Sequence, residues 1–165
     1  MNTKEVITFR IAATGVWGYE FYDQNRQKIG HVSSIVAPSV PVQIQSQNFH
    51  WYSSFDIDTT IIPGIGRRVL SNPSGEEVYR LIYWRPGLYQ VRAGDQSVQV
   101  EISAGRYLFG QQGMPVTAMT ERIENTDWMP VSSLDCQAYF RTIFYEDVNE
   151  ALALMILSFP TLRFY

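Results

Sequence analysis

Short apolar runs separated by polar turns make up most of the pattern of hydrophobic and polar positions along this chain. The runs are rich in valine, isoleucine, threonine and aromatic residues, which favour β-strands. Groups of turn-forming residues lie between them, such as Asp23-Gln24-Asn25-Arg26 and Asn72-Pro73-Ser74-Gly75. The pattern predicts strands at 6–13, 17–22, 28–34, 42–47, 49–57, 67–70, 77–84, 88–92, 97–102, 106–109, 115–121 and 138–145. Strands at this spacing indicate an all-β sandwich or barrel.

Two segments interrupt the strand pattern. Segment 35–48 contains Pro38 and Pro41 and is predicted to be a loop leading into an edge strand, because proline has no N–H to donate to a neighbouring strand. Segment 125–135 is predicted to be a second irregular connection. Neither has the composition of a domain linker, and 165 residues is an ordinary length for one domain. We therefore expect residues 1–165 to form a single domain.

The clearest helical signal lies near the C-terminus, where nine of the twelve residues 148–159 are apolar. Asp147 is predicted to cap this helix, with Glu150 completing a variant of the capping box, and Pro160 ends it. The central helix is therefore predicted at about 147–159.

A helix that is apolar on all sides must be buried on all sides. A sheet closed around the helix meets this requirement in a short, β-rich chain. Small residues at Ala151, Ala153 and Ser158 would let the strands approach closely. A membrane-inserted hairpin and a dimer interface are the alternatives. The sequence thus favours a mainly β protein, with the sheet closed around a buried hydrophobic C-terminal helix.

Composition excludes several classes of protein. Four tryptophans, ten tyrosines and nine phenylalanines are too many for a disordered chain. A single cysteine excludes an internal disulfide and a cysteine-rich zinc site. The first residues are polar, no signal-peptide stretch follows, and the apolar run 151–157 is far shorter than the roughly 20 residues of a membrane span. We therefore expect a cytoplasmic protein with no transmembrane segment.

The charge is unevenly distributed. The net charge of −3 and the pI near 5.3 argue against a nucleic-acid partner. Residues 1–60 carry −1, residues 61–115 carry +2 and residues 116–165 carry −4. Eleven of the thirteen basic residues are arginines, which suit planar, paired contacts with carboxylate or phosphate groups. The basic middle of the chain is therefore where we expect an anionic ligand.

Several segments together resemble the tubby C-terminal-like superfamily, which includes tubby-like proteins, phospholipid scramblases and plant LURP-one-related proteins. They are Tyr19-Glu20-Phe21-Tyr22-Asp23 with Ile29-Gly30, Arg106-Tyr107-Leu108-Phe109-Gly110 with Met114-Pro115-Val116, and the C-terminal segment 147–165. The resemblance implies a closed antiparallel barrel of about twelve strands threaded by a hydrophobic C-terminal helix. It also implies a binding or scaffold role at a membrane surface more than an enzymatic one.

The chain departs from the specific sites of that superfamily. The lysine-rich headgroup site of tubby-like domains has no counterpart, since the only lysines are Lys4 and Lys28. The cysteine-rich segment of scramblases is absent, and Asp147 and Glu150 lack the further oxygen ligands that calcium needs. The resemblance therefore implies the fold more firmly than any of these activities.

A glycine-containing turn followed by an arginine pair, Gly64-Ile65-Gly66-Arg67-Arg68, is the best candidate for an anion site. Glycines let backbone N–H groups converge, and arginines hold phosphate through paired hydrogen bonds. The predicted binding residues are Gly64, Gly66, Arg67, Arg68, Arg80, Arg85, Arg92 and Arg106. Alternation along a strand points Arg67 and Arg68 to opposite faces, so one of them is expected to serve packing or an ion pair with Glu76 or Glu77. A plain turn followed by solvated arginines is the alternative.

Three functions follow from these features. The first is a non-enzymatic binding domain for an anionic phospholipid headgroup or another phosphorylated ligand, peripheral at a membrane. The second is a structural or protein-interaction domain whose aromatic residues form a surface patch. The third is a hydrolase using His50 with Asp56 and Asp58, although nothing supplies the third ligand of a metal site, and Cys136 lacks an activating base. We favour the first and expect no catalytic residue, cofactor or metal.

Overall fold

The computed structural model describes residues 4–13, 16–35, 42–56, 67–131 and 135–162. The strands are β1 (Lys4–Ala13), β2 (Val16–Asp23), β3 (Lys28–Ile35), β4 (Val42–Ser46), β5 (His50–Asp56), β6 (Arg67–Ser71), β7 (Glu77–Arg85), β8 (Leu88–Ala93), β9 (Gln96–Ser103), β10 (Arg106–Gly110), β11 (Val116–Arg122) and β12 (Asp135–Phe144). The helix α1 (Glu150–Ser158) follows, and a short 3-10 turn (Phe159–Thr161) comes directly after it.

These twelve strands form one closed antiparallel barrel within the described residues. Each strand pairs with its neighbours in chain order, and β1 pairs with β12 from Lys4 opposite Phe144 to Ala12 opposite Asp135. Every predicted strand overlaps one observed strand. The expectation of a mainly β barrel with a C-terminal helix is therefore confirmed.

The prediction of an edge strand after the two prolines is wrong. Strand β4 pairs with β3 on one side and with β5 on the other, so the closed sheet gives it two neighbours. Ile44, at its centre, is fully buried between half-buried Gln43 and Gln45. Residues 36–41, which contain both prolines, lie outside the described residues. A proline before a strand therefore did not signal an unpaired strand edge.

Helix α1 fills the barrel. Leu154, Met155, Ile156 and Leu157 are each 3% exposed or less. Four consecutive helical residues point to four directions about 100° apart, so the second half of the helix is enclosed on every side, whereas Ala151, Leu152 and Ala153 are half-buried. Beyond its end, the ring of Phe159 packs edge-on against Phe109 at 5.8 Å. The closed sheet, rather than a membrane hairpin or a dimer interface, buries this helix.

The helix begins later than its sequence predicts, at Glu150 rather than near residue 147. Its N-cap is Asn149, whose side-chain oxygen accepts a hydrogen bond of 2.8 Å from the backbone N–H of Leu152. Asp147, the predicted cap, instead forms an ion pair with Lys4 at 2.9 Å. Pro160 lies in the 3-10 turn that follows the α-helix. The Asp147–Glu150 capping box is therefore not formed.

A second, smaller core lies on the outer face of β1. Ile7, Phe9 and Ile11 are buried there, because the connection between β11 and β12 folds over the strand. Trp128 from that connection packs edge-on against Phe9, with ring centroids 5.0 Å apart. This segment of the predicted irregular connection is thus held against the barrel by apolar contacts.

Candidate functional site

The glycine-containing turn of the predicted anion site lies outside the described residues, which exclude Gly64 and Gly66. Arg67 is described as a backbone position in β6, paired with Ile82, and its side chain is not described. Arg68 is buried, and its guanidinium donates a hydrogen bond of 2.8 Å to the hydroxyl of Ser53. Burial lowers the pKa of Arg68. The Arg68 side chain therefore points into the barrel, as strand alternation predicts for one of Arg67 and Arg68.

Arg80 and Arg92 are brought together on the outer wall. They are partners across β7 and β8, while Tyr79 and Leu81 on either side of Arg80 face the core. Glu77 accepts two hydrogen bonds from Arg80, from Nε at 2.9 Å and from a terminal amino group at 2.7 Å. These bonds lower the pKa of the Glu77 carboxyl. Two arginines thus face each other across adjacent strands, with one carboxylate beside them.

Arg92 is the more accessible of the two. Its side chain is exposed, and its Nε donates a long hydrogen bond of 3.2 Å to the side-chain oxygen of Gln90. Arg85 is exposed as well, at the end of β7 where the chain turns into β8. The hairpin formed by β7 and β8 therefore carries three arginines and one glutamate.

Arg106 does not join this group. It lies on β10, with its Nε 3.7 Å from Glu121, which also forms a closer ion pair of 2.7 Å with Arg141. Of the predicted anion-binding residues, Arg80, Arg85 and Arg92 thus share one hairpin, Arg68 lies inside the barrel, and Arg106 lies on a different strand pair.

Two of the three predicted hydrolase residues, His50 and Asp56, do not converge. His50 and Asp56 lie at opposite ends of β5, and six residues of extended strand span about 20 Å. The ring of His50 packs beside Tyr52, and its Nε2 lies 3.2 Å from the side-chain oxygen of Gln43. Asp58 lies outside the described residues. This arrangement gives His50 no carboxylate partner on its own strand.

The described residues also contain no group of three or more histidine, cysteine, aspartate or glutamate side chains that could hold a metal ion. Burial, together with the nearby charge of Glu20, raises the pKa of the Cys136 thiol, which disfavours the nucleophilic thiolate. None of the large hydrophobic side chains exposed in these parts of the chain is aromatic; they are Ile29, Met114, Val116, Met129 and Val131. Many of the described aromatic residues, such as Trp51, Phe109 and Phe140, are buried in the cores.

A cavity that sequence reasoning missed lies between the first half of α1 and strands β3 and β4, with a volume of about 660 Å³. We call it the helix-side cavity. Its polar lining residues are Gln27, Lys28, His31, Gln45, Ser46, Gln47 and Glu150. Its apolar lining comes mainly from Ile29 and from the helix residues Ala153, Leu154 and Leu157.

The two charged residues of this lining are held by neighbours. Lys28 forms an ion pair of 3.0 Å with Glu20. Glu150 accepts hydrogen bonds of 2.7 Å from the side chain of Asn48 and 2.8 Å from the hydroxyl of Ser46. These bonds lower the pKa of the Glu150 carboxyl. They also connect the start of α1 to the turn between β4 and β5, so the helix is tied to the barrel at the edge of the cavity.

His31 and Gln45 stand side by side at the cavity, as partners across β3 and β4. Burial, reinforced by the positive charge of Lys28, lowers the pKa of His31 below its ordinary value. A neutral imidazole has one nitrogen that donates and one that accepts a hydrogen bond. Gln45 adds an amide with both functions.

Gly30 lies where β3 closely approaches the backbone of β4 and contacts the helix. A Cβ atom there would lie 2.8 Å from the backbone oxygen of Gln45 and 3.4 Å from a methyl group of Leu154. An isolated glycine within a strand pattern signals such a close approach, and this feature of the sequence could have indicated the close contact. The rest of the cavity joins residues from opposite ends of the chain, which no local pattern connects.

A smaller cavity of about 320 Å³ lies beside the first and shares Ile29, Ala153 and Leu157 with it. Its lining also includes Lys4, so each of the chain's two lysines lies at one of the two cavities. Ile29 is 36% exposed and stands between the cavities, over the same helix residues. The two spaces therefore share an apolar floor on α1.

None of the helices in the described residues is long and apolar enough to span a membrane. No protein-family model and no curated protein matches the chain. Among solved structures, the chain is similar to the X-ray structure of a protein from Arabidopsis thaliana, over 96% of this chain and 92% of that one, at 15% sequence identity and a TM-score of 0.34.

Proposed function

We propose that the protein is a non-enzymatic binding domain that recognises an anionic group, either a phospholipid headgroup or a soluble phosphorylated ligand, on the outer face of the β7–β8 hairpin. The observation that carries this proposal is the placement of Arg80 directly opposite Arg92. Like charges opposite each other on adjacent strands destabilise a sheet, and a bound anion would offset that repulsion. Arginine is also the side chain best suited to hold phosphate through paired hydrogen bonds.

The local charge supports an anionic ligand. Glu77 offsets one of the hairpin's three arginine charges and orients the guanidinium of Arg80. The hairpin, residues 77–93, retains a net charge of +2 in a chain whose total is −3. Arg92 and Arg85 are exposed, so both reach a ligand or a membrane surface without rearrangement of the barrel. Binding of this kind weakens as salt rises, because it depends on exposed charges.

The proposal includes membership of the tubby C-terminal-like superfamily, as a scramblase-type or LURP-one-related barrel. The closed barrel around an apolar helix is the fold that this resemblance predicts. The site proposed here depends on arginines rather than on the lysines of tubby-like domains. A cytoplasmic protein that associates peripherally with membranes would fit both the barrel fold and the exposed arginines.

Flotation with vesicles tests the proposal. The full chain is mixed with phosphatidylcholine vesicles that contain or lack phosphatidylserine, and inositol hexakisphosphate serves as the soluble phosphorylated ligand in calorimetry. We expect recovery with the anionic vesicles only, and a decrease as salt rises. Calorimetric binding together with flotation would indicate recognition of phosphate in either setting, whereas calorimetric binding alone would indicate a soluble ligand.

Two double variants with equal charge changes locate the site. Arg80→Gln/Arg92→Gln should abolish binding. Arg106→Gln/Arg141→Gln makes the same change in net charge beside Glu121 and should leave binding intact. The proposal fails if the wild-type chain binds neither anionic vesicles nor the inositol phosphate, or if both double variants lose binding equally.

A further inference from the structure

We propose that the outer face of β3, β4 and β5 is a binding surface for an uncharged oligosaccharide. Six half-buried side chains form this surface, which we call the neutral face: His31, Ser33, Gln43, Gln45, His50 and Tyr52. It lies on the opposite side of the sheet from α1. Strand β6 separates it from the β7–β8 hairpin, so the proposal does not depend on the function proposed for the arginines there.

Strand alternation places these six side chains on one side of the sheet. Val32, Ile44 and Trp51, at the intervening positions of the three strands, are buried in the core. The side chains before and after them therefore point away from the barrel. Cross-strand pairing sets them in two rows, His31–Gln45–His50 and Ser33–Gln43–Tyr52. Neighbouring strands lie about 4.8 Å apart, so each row spans about 10 Å, which is enough for a disaccharide or a longer chain.

The neutral face favours an uncharged ligand. None of its six residues is acidic, lysine or arginine. Burial lowers the pKa of His31, which favours the uncharged ring. Glu20, beside His31 on β2, forms an ion pair of 3.0 Å with Lys28, and Ser71 lies opposite Tyr52 on the other side. Phosphorylated ligands and nucleic acids bind to cationic side chains, and protein interfaces are enriched in arginine and methionine, which this face lacks.

The polar groups of the neutral face suit a ligand rich in hydroxyl groups. Within the described residues, the side chains of His31, Gln45 and Tyr52 take part in no hydrogen bond. A neutral imidazole, an amide and a phenol each donate and accept hydrogen bonds. The hydroxyl groups of a sugar also do both and follow one another around the ring, so they can pair with several of these side chains at once.

The ring of Tyr52 is held in place before any ligand binds. It stacks on His50, with ring centroids 4.8 Å apart and an angle of 30° between the planes. Nε2 of His50 lies 3.2 Å from the side-chain oxygen of Gln43, which fixes the pair further. A ligand therefore immobilises little additional side-chain freedom at this point. Tyrosine offers an apolar ring and a polar hydroxyl together, which matches the C–H groups and hydroxyl groups of a sugar ring.

Calorimetric titration of the full chain with hexasaccharides tests the proposal. Maltohexaose, cellohexaose, mannohexaose and xylohexaose are the neutral probes, and hexagalacturonate and chitosan hexamer carry negative and positive charge. We expect at least one neutral probe to bind, and both charged probes to bind about tenfold more weakly or not at all, as one unmatched polar group requires. Failure of every neutral probe to bind, or binding of a charged probe as tight as that of the best neutral one, would overturn the proposal.

Paired variants locate the binding. Gln45→Ala and Tyr52→Leu should each weaken the binding of the best neutral probe by about tenfold. Gln99→Ala, on the outer face of β9, and Tyr145→Leu, directly after β12, make the same changes at half-buried positions elsewhere and should leave binding intact.

The charge variant Arg80→Gln/Arg92→Gln should also leave oligosaccharide binding unchanged, which separates this site from the anion site. If Gln45→Ala and Tyr52→Leu had no effect, or if Gln99→Ala and Tyr145→Leu weakened binding equally, the neutral face would not be the binding surface.

Discussion

Tyr22 donates a hydrogen bond of 2.6 Å to Oε2 of Glu20, two positions before it on the same strand. The other oxygen of Glu20 accepts a bond of 3.0 Å from Lys28 at the edge of the helix-side cavity. Burial alone would raise the pKa of Glu20, but these two bonds, together with the nearby charges of Lys28 and His31, hold the pKa below its ordinary value. Burial and the same bond to Glu20 raise the pKa of Tyr22. One carboxylate therefore joins β2 to the start of β3.

Tyr22→Phe should destabilise the protein at neutral pH by about 1–2 kcal/mol, because it removes a donor to a charged, half-buried acceptor. A carboxyl group whose pKa is lowered by folding stabilises the fold at pH values above its ordinary pKa, and this stabilisation is lost as the pH falls through the lowered pKa of the folded state. The deficit of the variant should therefore shrink below about pH 4. Urea unfolding at a series of pH values measures it.

Tyr145→Phe is the control for this change. The hydroxyl of Tyr145 reaches only the sulfur of Met119, at 4.0 Å, which is a weak bond. Its loss should alter stability by less than about 0.5 kcal/mol and should not depend on acid. A Tyr22→Phe deficit that stayed constant from neutral to acid pH would contradict the role assigned to Glu20.

Gly30→Ala should destabilise the barrel by roughly 1–3 kcal/mol, through overpacking against the backbone of the neighbouring strand β4. The added methyl carbon would lie 2.8 Å from the backbone oxygen of Gln45, which cannot move aside without shifting β4. Gly110→Ala is the comparison, because its nearest neighbour would be 3.4 Å away. The midpoint of thermal unfolding should be well below that of Gly110→Ala in the Gly30→Ala variant. Equal midpoints would show that β4 can move away from Gly30 without cost.

Ile156→Ala should lower the free energy of unfolding by about 2–5 kcal/mol. The side chain is fully buried inside the barrel, and its removal leaves a cavity. Ile143→Ala makes the same chemical change on β12, where the side chain is only half-buried, and should cost clearly less. Chemical denaturation measures both. If the two substitutions had equal effects, α1 would not be the centre of the core.

The strands and the helix could be predicted from sequence because their signals are local. Apolar runs between turn residues marked the strands. The run 151–157 had no polar stripe, and only complete burial accommodates such a helix. The orientation of the arginine pair could also be predicted in part. Alternation placed Arg67 and Arg68 on opposite faces, and Arg68 is buried.

The remaining features depend on contacts between distant parts of the chain. Asp147 and Asn149 are equally good caps by type, and the ion pair of Asp147 with Lys4 leaves Asn149 to cap the helix. Glu150 bonds to Asn48, about a hundred positions earlier in the chain, so the edge of the cavity had no local signature. The two arginines of the outer wall become neighbours only through the register of β7 with β8.

Ala104→Asn should stabilise the protein by about 0.5–1 kcal/mol. Ala104 has a φ of 51° and Gly105 a φ of 76°, in the two-residue turn between β9 and β10. Asparagine followed by glycine is the preferred pair in such turns, whereas alanine is strained there. The midpoint of thermal unfolding should therefore rise. Gly105→Ala should lower it, although a Cβ there would meet nothing within 4 Å, because the backbone conformation alone disfavours it. A fall in the midpoint with Ala104→Asn would contradict the turn geometry that links these two strands.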